Sequence, residues 1–206
     1  MSEQPAPRAF FTEQLPAQFN AALREQERVA SAANRVLDGM RAVHATIRID
    51  VRGEGGGTFF LNVSSGLASA GDTALHPPVL TLVQERASFD RFVAEVGGSA
   101  LGFLGALSGI AQEMRLTQAR IDGLASLSGS VRFQVRGAGG FTLLTHFGPG
   151  EPAAEPNTSI TVDRDAYASL RSGQLDPQDA FVNGRIQLEG DLQLAMQLAL
   201  IAVSPD

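Results

Sequence analysis

The spacing of apolar positions changes several times along the chain, and each change marks an element. Leu15, Phe19, Ala22, Leu23, Val29, Ala33, Val36, Leu37, Met40 and Val43 recur three or four residues apart. That period predicts one long helix or two short ones from Phe11 on, with Thr12 or Asn20 as candidate caps. Thr46 to Arg52 alternates polar and apolar, Gly53 to Gly57 supplies a turn, and Thr58 to Val63 alternates again, which predicts a hairpin. Val79 to Val83 reads as a third strand and Ser88 to Glu95, around Phe89, as a helix. From Ala100 to Leu127 the period is helical once more.

Shifted by 84 positions, the first part of the chain reappears without a gap. Phe19, Ala22 and Leu23 meet Phe103, Ala106 and Leu107, and Asp38-Gly39 meets Asp122-Gly123. Arg48, Val51, Arg52 and Gly53 meet Arg132, Val135, Arg136 and Gly137, and Gly55, Gly56 and Thr58 meet Gly139, Gly140 and Thr142. Agreement in register over this length is the signature of an internal duplication. The second copy continues through strands at 131–135 and 141–147, a third at Ser159 to Asp163, and a helix at Arg164 to Leu170 around Tyr167. The predicted division is a tail over 1–10, a truncated copy over 11–97 and a complete copy over 98–206, fused in tandem with little linker between them.

What the second copy has and the first lacks is the last stretch. Asp176 is placed to cap a short helix that starts at Pro177 and closes at Gly184, Arg185 to Glu189 alternates as a strand, and Gly190-Asp191 turns into a final helix reaching Val203. Leu192, Ala195, Met196, Ala199, Leu200 and Val203 share a stripe of that helix, while Leu194, Leu198 and Ile201 cover much of the remainder. A helix with so little polar surface is buried, bound to a partner or lining an apolar space.

The run Gly173-x-Leu175-x-Pro177-x-x-Ala180-Phe181-x-x-Gly184-x-Ile186-x-Leu188-x-Gly190-Asp191, leading into Leu194-Ala195-Met196-x-Leu198, resembles the end of the SCP2 (sterol carrier protein 2) domain, a small lipid-binding module. The resemblance implies an α+β fold, α/β in the broad sense, with a predominantly antiparallel sheet and helices packed on it. It also implies an apolar tunnel for a sterol, acyl or isoprenoid lipid, closed by the C-terminal helix. Its wall would come from Phe133, Leu143, Phe181, Leu192, Ala195, Met196, Ala199 and Leu200. From the residues alone, a tunnel and a filled core are equally open readings of these positions.

Composition narrows the chemistry. Net charge is −6 with no basic block, which argues against nucleic acid and against electrostatic docking on an anionic bilayer. All sixteen cations are Arg and there is no Cys, which excludes Walker-type phosphate loops, Schiff-base chemistry and thiol nucleophiles. The glycine run after Arg52 joins two strands, where a phosphate loop would have to enter a helix. His44, His76 and His146 have no metal-ligand spacing. The Ser-Gly pairs form no nucleophile elbow. Asp163, Asp165, Asp176, Asp179 and Asp191 stand at predicted helix starts, as caps and dipole partners. No catalytic residue, metal or cofactor is expected, and the expected protein is a non-catalytic lipid-binding or lipid-transfer protein. The alternative is an accessory module that docks on a partner enzyme or presents a lipid intermediate to it; a homodimer is a further candidate. With a polar start and no apolar run long enough to span a bilayer, the expected location is cytoplasmic.

Overall fold

A computed structural model describes residues 15–96 and 116–203. The expected tail and most of the expected Ala100–Leu127 helix lie outside the described residues. The chain divides into two units, Met1–Asp38 and Gly39–Asp206. The first is carried by helix α1 (Leu15–Arg41), so the long period is one helix rather than two, with Asn20 inside it. Phe19, Leu23, Val29 and Leu37 on it are exposed.

The second unit is built on eight strands: β1 (His44–Arg52), β2 (Gly57–Ser64), β3 (Leu67–Gly71), β4 (Pro78–Glu85), β5 (Gly129–Arg136), β6 (Thr142–Phe147), β7 (Thr158–Asp163) and β8 (Ile186–Gly190). They form one sheet in the order β3-β2-β1-β4-β6-β5-β7-β8. The β1/β4 and β5/β7 pairs are parallel and the other five are antiparallel. Helices α2 (Arg86–Val96), α3 (Gln118–Ala125), α4 (Arg164–Arg171), α5 (Pro177–Val182) and α6 (Leu192–Val203) complete it among the described residues. The fold is α+β with a mixed, mainly antiparallel sheet.

The two segments repeat their local contacts. In each hairpin turn a glycine stands where a Cβ would fall on a carbonyl: 2.0 Å from Val51 O at Gly56 and 2.2 Å from Val135 O at Gly140. In each, an arginine that opens the following helix donates into the turn, Arg86 to Gly55 O at 2.9 Å and Arg164 to Gly139 O at 3.0 Å. The segments differ beside their parallel strand: β7 is flanked by β8, whereas β4 is flanked by β6 of the other segment.

Alternation along the strands gives the sheet an apolar face and a polar one. On the apolar face Ile47, Leu80 and Leu82 from one segment and Val131, Leu143 and Phe147 from the other pack with Leu124, Leu127 and Leu194. Toward the opposite end of the strands, Phe92, Phe141, Tyr167, Leu170 and Ala180 close around Val135 and Val162. The anchor of α2 is Phe92, fully buried, with Phe89 only half-buried and Val93 exposed. On the polar face the buried Thr46 donates to Asn62 Oδ1 at 2.7 Å, and the equivalent pair is Ser130 Oγ and His146 Nδ1, 2.9 Å apart.

Two expectations are corrected. The helix expected over Ala100–Leu127 does not run through residues 116–117: Thr117 is extended, and its hydroxyl accepts from the Arg120 N–H at 3.4 Å to start α3 afresh. Asp163 sits at the α4 N-cap position without a side-chain capping bond, whereas Asp176 accepts from the Gln178 and Asp179 N–H groups. Strand β3 was absent from the expectation because Leu67-Ala68-Ser69-Ala70-Gly71 has no polar–apolar alternation; all five residues are exposed at the sheet edge.

Burial pushes the Tyr167 phenol up from its ordinary value of 10.0, and Arg171 nearby works in the opposite direction. The folded state therefore holds this proton more tightly than the unfolded chain. The associated stability is complete below about pH 10 and is lost as pH rises through the folded value. The hydroxyl reaches no hydrogen-bond partner among the described residues. Denaturant unfolding as a function of pH should show Tyr167→Phe unchanged or more stable by up to about 1 kcal/mol at pH 7, with a flatter alkaline decline. An equally steep decline would assign the effect elsewhere.

Candidate functional site

Helix α6 closes one end of the apolar face and is fastened at its start. Gly190, at φ +93°, has no room for a side chain, since a Cβ would lie 2.1 Å from Asn157 O. That same carbonyl accepts from the Asp191 N–H at 2.9 Å, and Thr158 Oγ1 donates to Asp191 O at 2.7 Å. The Asn157 side chain accepts from the Ser130 N–H at 2.8 Å, joining the helix start to β5. Asp191 caps α6 by accepting from the Gln193 and Leu194 N–H groups at 2.9 and 3.1 Å. The far end is also held: Arg120 of α3 donates to Ile201 O at 3.4 Å. Gly123 of α3 leaves just enough space for the Ile201 side chain.

The phase of α6 follows from these fastenings. Leu194 and Ala195 are buried, and Leu198 and Ile201 pack against the core they enter. Leu192, Met196 and Leu200 are exposed, as is Ala199. Of the eight expected wall residues, Leu143 lies in the core cluster that also receives Leu194, and Ala195 is buried on the same helix face. Phe133 pairs with Leu143 across β5 and β6, and its ring lies 6.1 Å from that of Tyr167 at a tilt of 56°. Phe181 is half-exposed, because α5 turns Ala180 inward instead. Phe181, Leu192, Met196, Ala199 and Leu200 are therefore not gathered around an interior space with Phe133 and Leu143. The inward residues that spacing did not single out are Leu194, Leu198 and Ile201. No local signal places them: the Asp191 cap marks where the helix starts, and the Asn157 and Arg120 contacts set which side faces inward.

The chemistry available here is apolar. Helix α6 has no charged residue. Among the described residues no group of His, Asp and Glu is placed to hold a metal ion, and no helix is long and apolar enough to cross a membrane.

Residues 111–202 match the model of the SCP-2 sterol transfer family. Solved structures with a likeness to the chain include Sterol Carrier Protein 2 Like 2 from Aedes aegypti (21% identity, 54% of this chain and 89% of that one, TM-score 0.30). Palmitated SCP2L2 from Aedes aegypti is 18% identical over 56% of this chain and 95% of that one, with TM-score 0.33. Apo sterol carrier protein 2 from Yarrowia lipolytica is 15% identical over 57% and 88%, with TM-score 0.29. No curated protein matches the chain.

Because the Asp191 carboxylate serves two N–H groups at an exposed cap, Asp191→Ala should cost about 1 kcal/mol. Hydrogen exchange should report it first at Leu194 and Ala195. Unaltered protection of those amides would mean that the Asn157 contacts alone hold the helix.

Proposed function

We propose, from the match of residues 111–202 to the SCP-2 sterol transfer family, that the chain is a non-catalytic lipid-binding and lipid-transfer protein whose ligand enters between α6 and the apolar sheet face. The observation that carries this reading is the uncharged α6, apolar on both sides, seated over the apolar sheet face within the matched segment. A sterol, acyl or isoprenoid tail gains about 0.8 kcal/mol for each methylene that leaves water. A dozen methylenes thus outweigh one head-group hydrogen bond at about 0.5–1.5 kcal/mol. Affinity then comes from the tail and selectivity among lipids is broad.

In the structure Leu194, Leu198 and Ile201 occupy the space under the helix, so uptake requires α6 to lift or slide. The small Ala195 and Ala199 and the adaptable Met196 suit a helix that repacks against ligands of different shape. Lifting breaks the Arg120 contact to Ile201 before the Asn157 and Asp191 fastenings, which makes the start of the helix the hinge. The lipid site then belongs to the copy over 98–206, with 11–97 as its scaffold.

A second reading has its own support. The exposed stripe Leu192, Met196 and Leu200, with Phe181 and Val182 exposed on α5, offers apolar surface to a partner enzyme or a second copy. In that reading the chain presents a lipid intermediate, or docks without one.

Native mass spectrometry of the gently purified protein, followed by displacement of a fluorescent fatty acid, tests the two. Co-purifying lipid, and uptake abolished by removing 192–206 from a chain that stays folded, are the expected results. An empty protein that takes up no probe would overturn the lipid reading. Met196→Asp should slow transfer between vesicles. If it leaves uptake and transfer intact but dissociates a protein complex, the module reading holds instead.

A further inference from the structure

The seam between the two segments holds a feature of a different kind from the α6 site. At the end of the sheet where β4 begins and β6 ends lies a cleft of about 510 Å³. That volume falls within the range of small-molecule sites. Pro77, Pro78, Val79 and Pro149 supply apolar walls, and Arg48 and Glu151 are the cation and the anion lining it. Fixed proline φ angles make such walls stiff, so little ordering is required when something binds against them.

Arg48 is held in an unequal way by two carboxylates. Asp50 has its side chain only 15% exposed; it faces Arg48 Nη2 at 3.0 Å, accepts from Arg48 Nε at 3.1 Å, and accepts from Thr58 Oγ1 at 2.9 Å. That arrangement orients the guanidinium and is fixed on the sheet. Glu151 accepts from the remaining amino group, Nη1, at 2.6 Å, but its side chain is 73% exposed. It stands on a loop where Gly148 and Gly150 both adopt positive φ, 93° and 106°. A solvent-exposed contact from a glycine-flanked loop is among the weakest of ion pairs. A carboxylate arriving along the cleft competes with it on equal chemical terms.

We infer that this cleft binds a small carboxylate bearing a short apolar body. The ligand's carboxylate replaces Glu151 on Arg48 Nη1, its apolar part lies against the proline walls, and Asp50 and Thr58 keep the guanidinium aimed. The described residues of the second segment do not repeat this arrangement around the equivalent arginine. There the equivalent Arg132 stands 4.0 Å from Glu155, whose side chain is 90% exposed, and Gln134 occupies the position of Asp50, so no fixed carboxylate orients it.

The test is an NMR titration of the full chain with octanoate, with octanol and acetate as probes that lack the charge or the tail. Octanoate should shift the amides of Val79, Gly148 and Gly150, with octanol and acetate weaker by about tenfold or more, the scale of one charge-assisted contact. Glu151→Gln removes the competitor and should tighten octanoate by about three- to tenfold, and Arg48→Met should weaken it by about tenfold while sparing octanol. Because Arg48→Met leaves Asp50 without its partner, the exposed Glu151→Gln decides the matter if that variant is unstable. Unchanged or weaker octanoate binding in Glu151→Gln would overturn the proposal. So would octanol binding as tightly as octanoate, or octanoate shifts confined to Leu194 and Ala195, which would assign octanoate to the α6 site alone.

Discussion

The pairing of β4 with β6 is the contact on which the second unit depends. Four residue pairs, from Leu80 opposite Phe147 to Val83 opposite Leu144, join two half-sheets that would otherwise each present an open edge. An unpaired, buried strand edge is costly because its N–H and C=O groups lose water without gaining partners. The seam removes both edges at once. It also sets the apolar faces side by side, so that Ile47, Leu80 and Leu82 share one cluster with Val131, Leu143 and Phe147. The core is thus common property of the two segments.

The seam accounts for the unequal ends of the chain's two segments. Beside β7 the sheet is continued by β8, which is followed by the Gly190 turn and α6. Beside β4 that place is taken by β6, so the first segment has no use for a strand of its own there. The polar residues repeat their positions as well, Thr46 and Asn62 in one segment and Ser130 and His146 in the other, because each pair bridges the same two strands. Where the segments diverge, at Asp50 and Gln134, the local electrostatics diverge with them, and the orientation of Arg48 is peculiar to the first.

Much of the fold was legible because its signals are local. The glycines that turn Val51 into Gly57 and Val135 into Phe141 are dictated by backbone sterics, and alternation in Ile47–Val51 and Val131–Val135 fixes which side chains share a face. Asp176 and Asp191 announce their helices through short hydrogen bonds to residues two and three positions on. Strand β3 was illegible for the converse reason: an exposed edge of small residues buries nothing, so nothing requires it to alternate. The break at Thr117 was hidden because Ala100 to Leu127 keeps a helical period on both sides of a residue whose hydroxyl opens a new helix.

The kinds of element, their order, the recurrence of helix and hairpin, and an uncharged final helix behind a stretch that resembles a known family can all be read from local signals. Those follow from spacing, caps and turn sterics, all within a few residues of one another. Which side of α6 faces inward depends on contacts distant in the chain. A helix apolar on nearly all sides carries no phase of its own; contacts from Asn157, some thirty positions earlier in the chain, and from Arg120 on α3 turn Leu194 and Ile201 to the core and leave Met196 outside. The tertiary structure likewise decided that Arg48, Glu151 and three prolines, far apart in the chain, surround one cleft, because that neighbourhood exists only once β4 and β6 have paired.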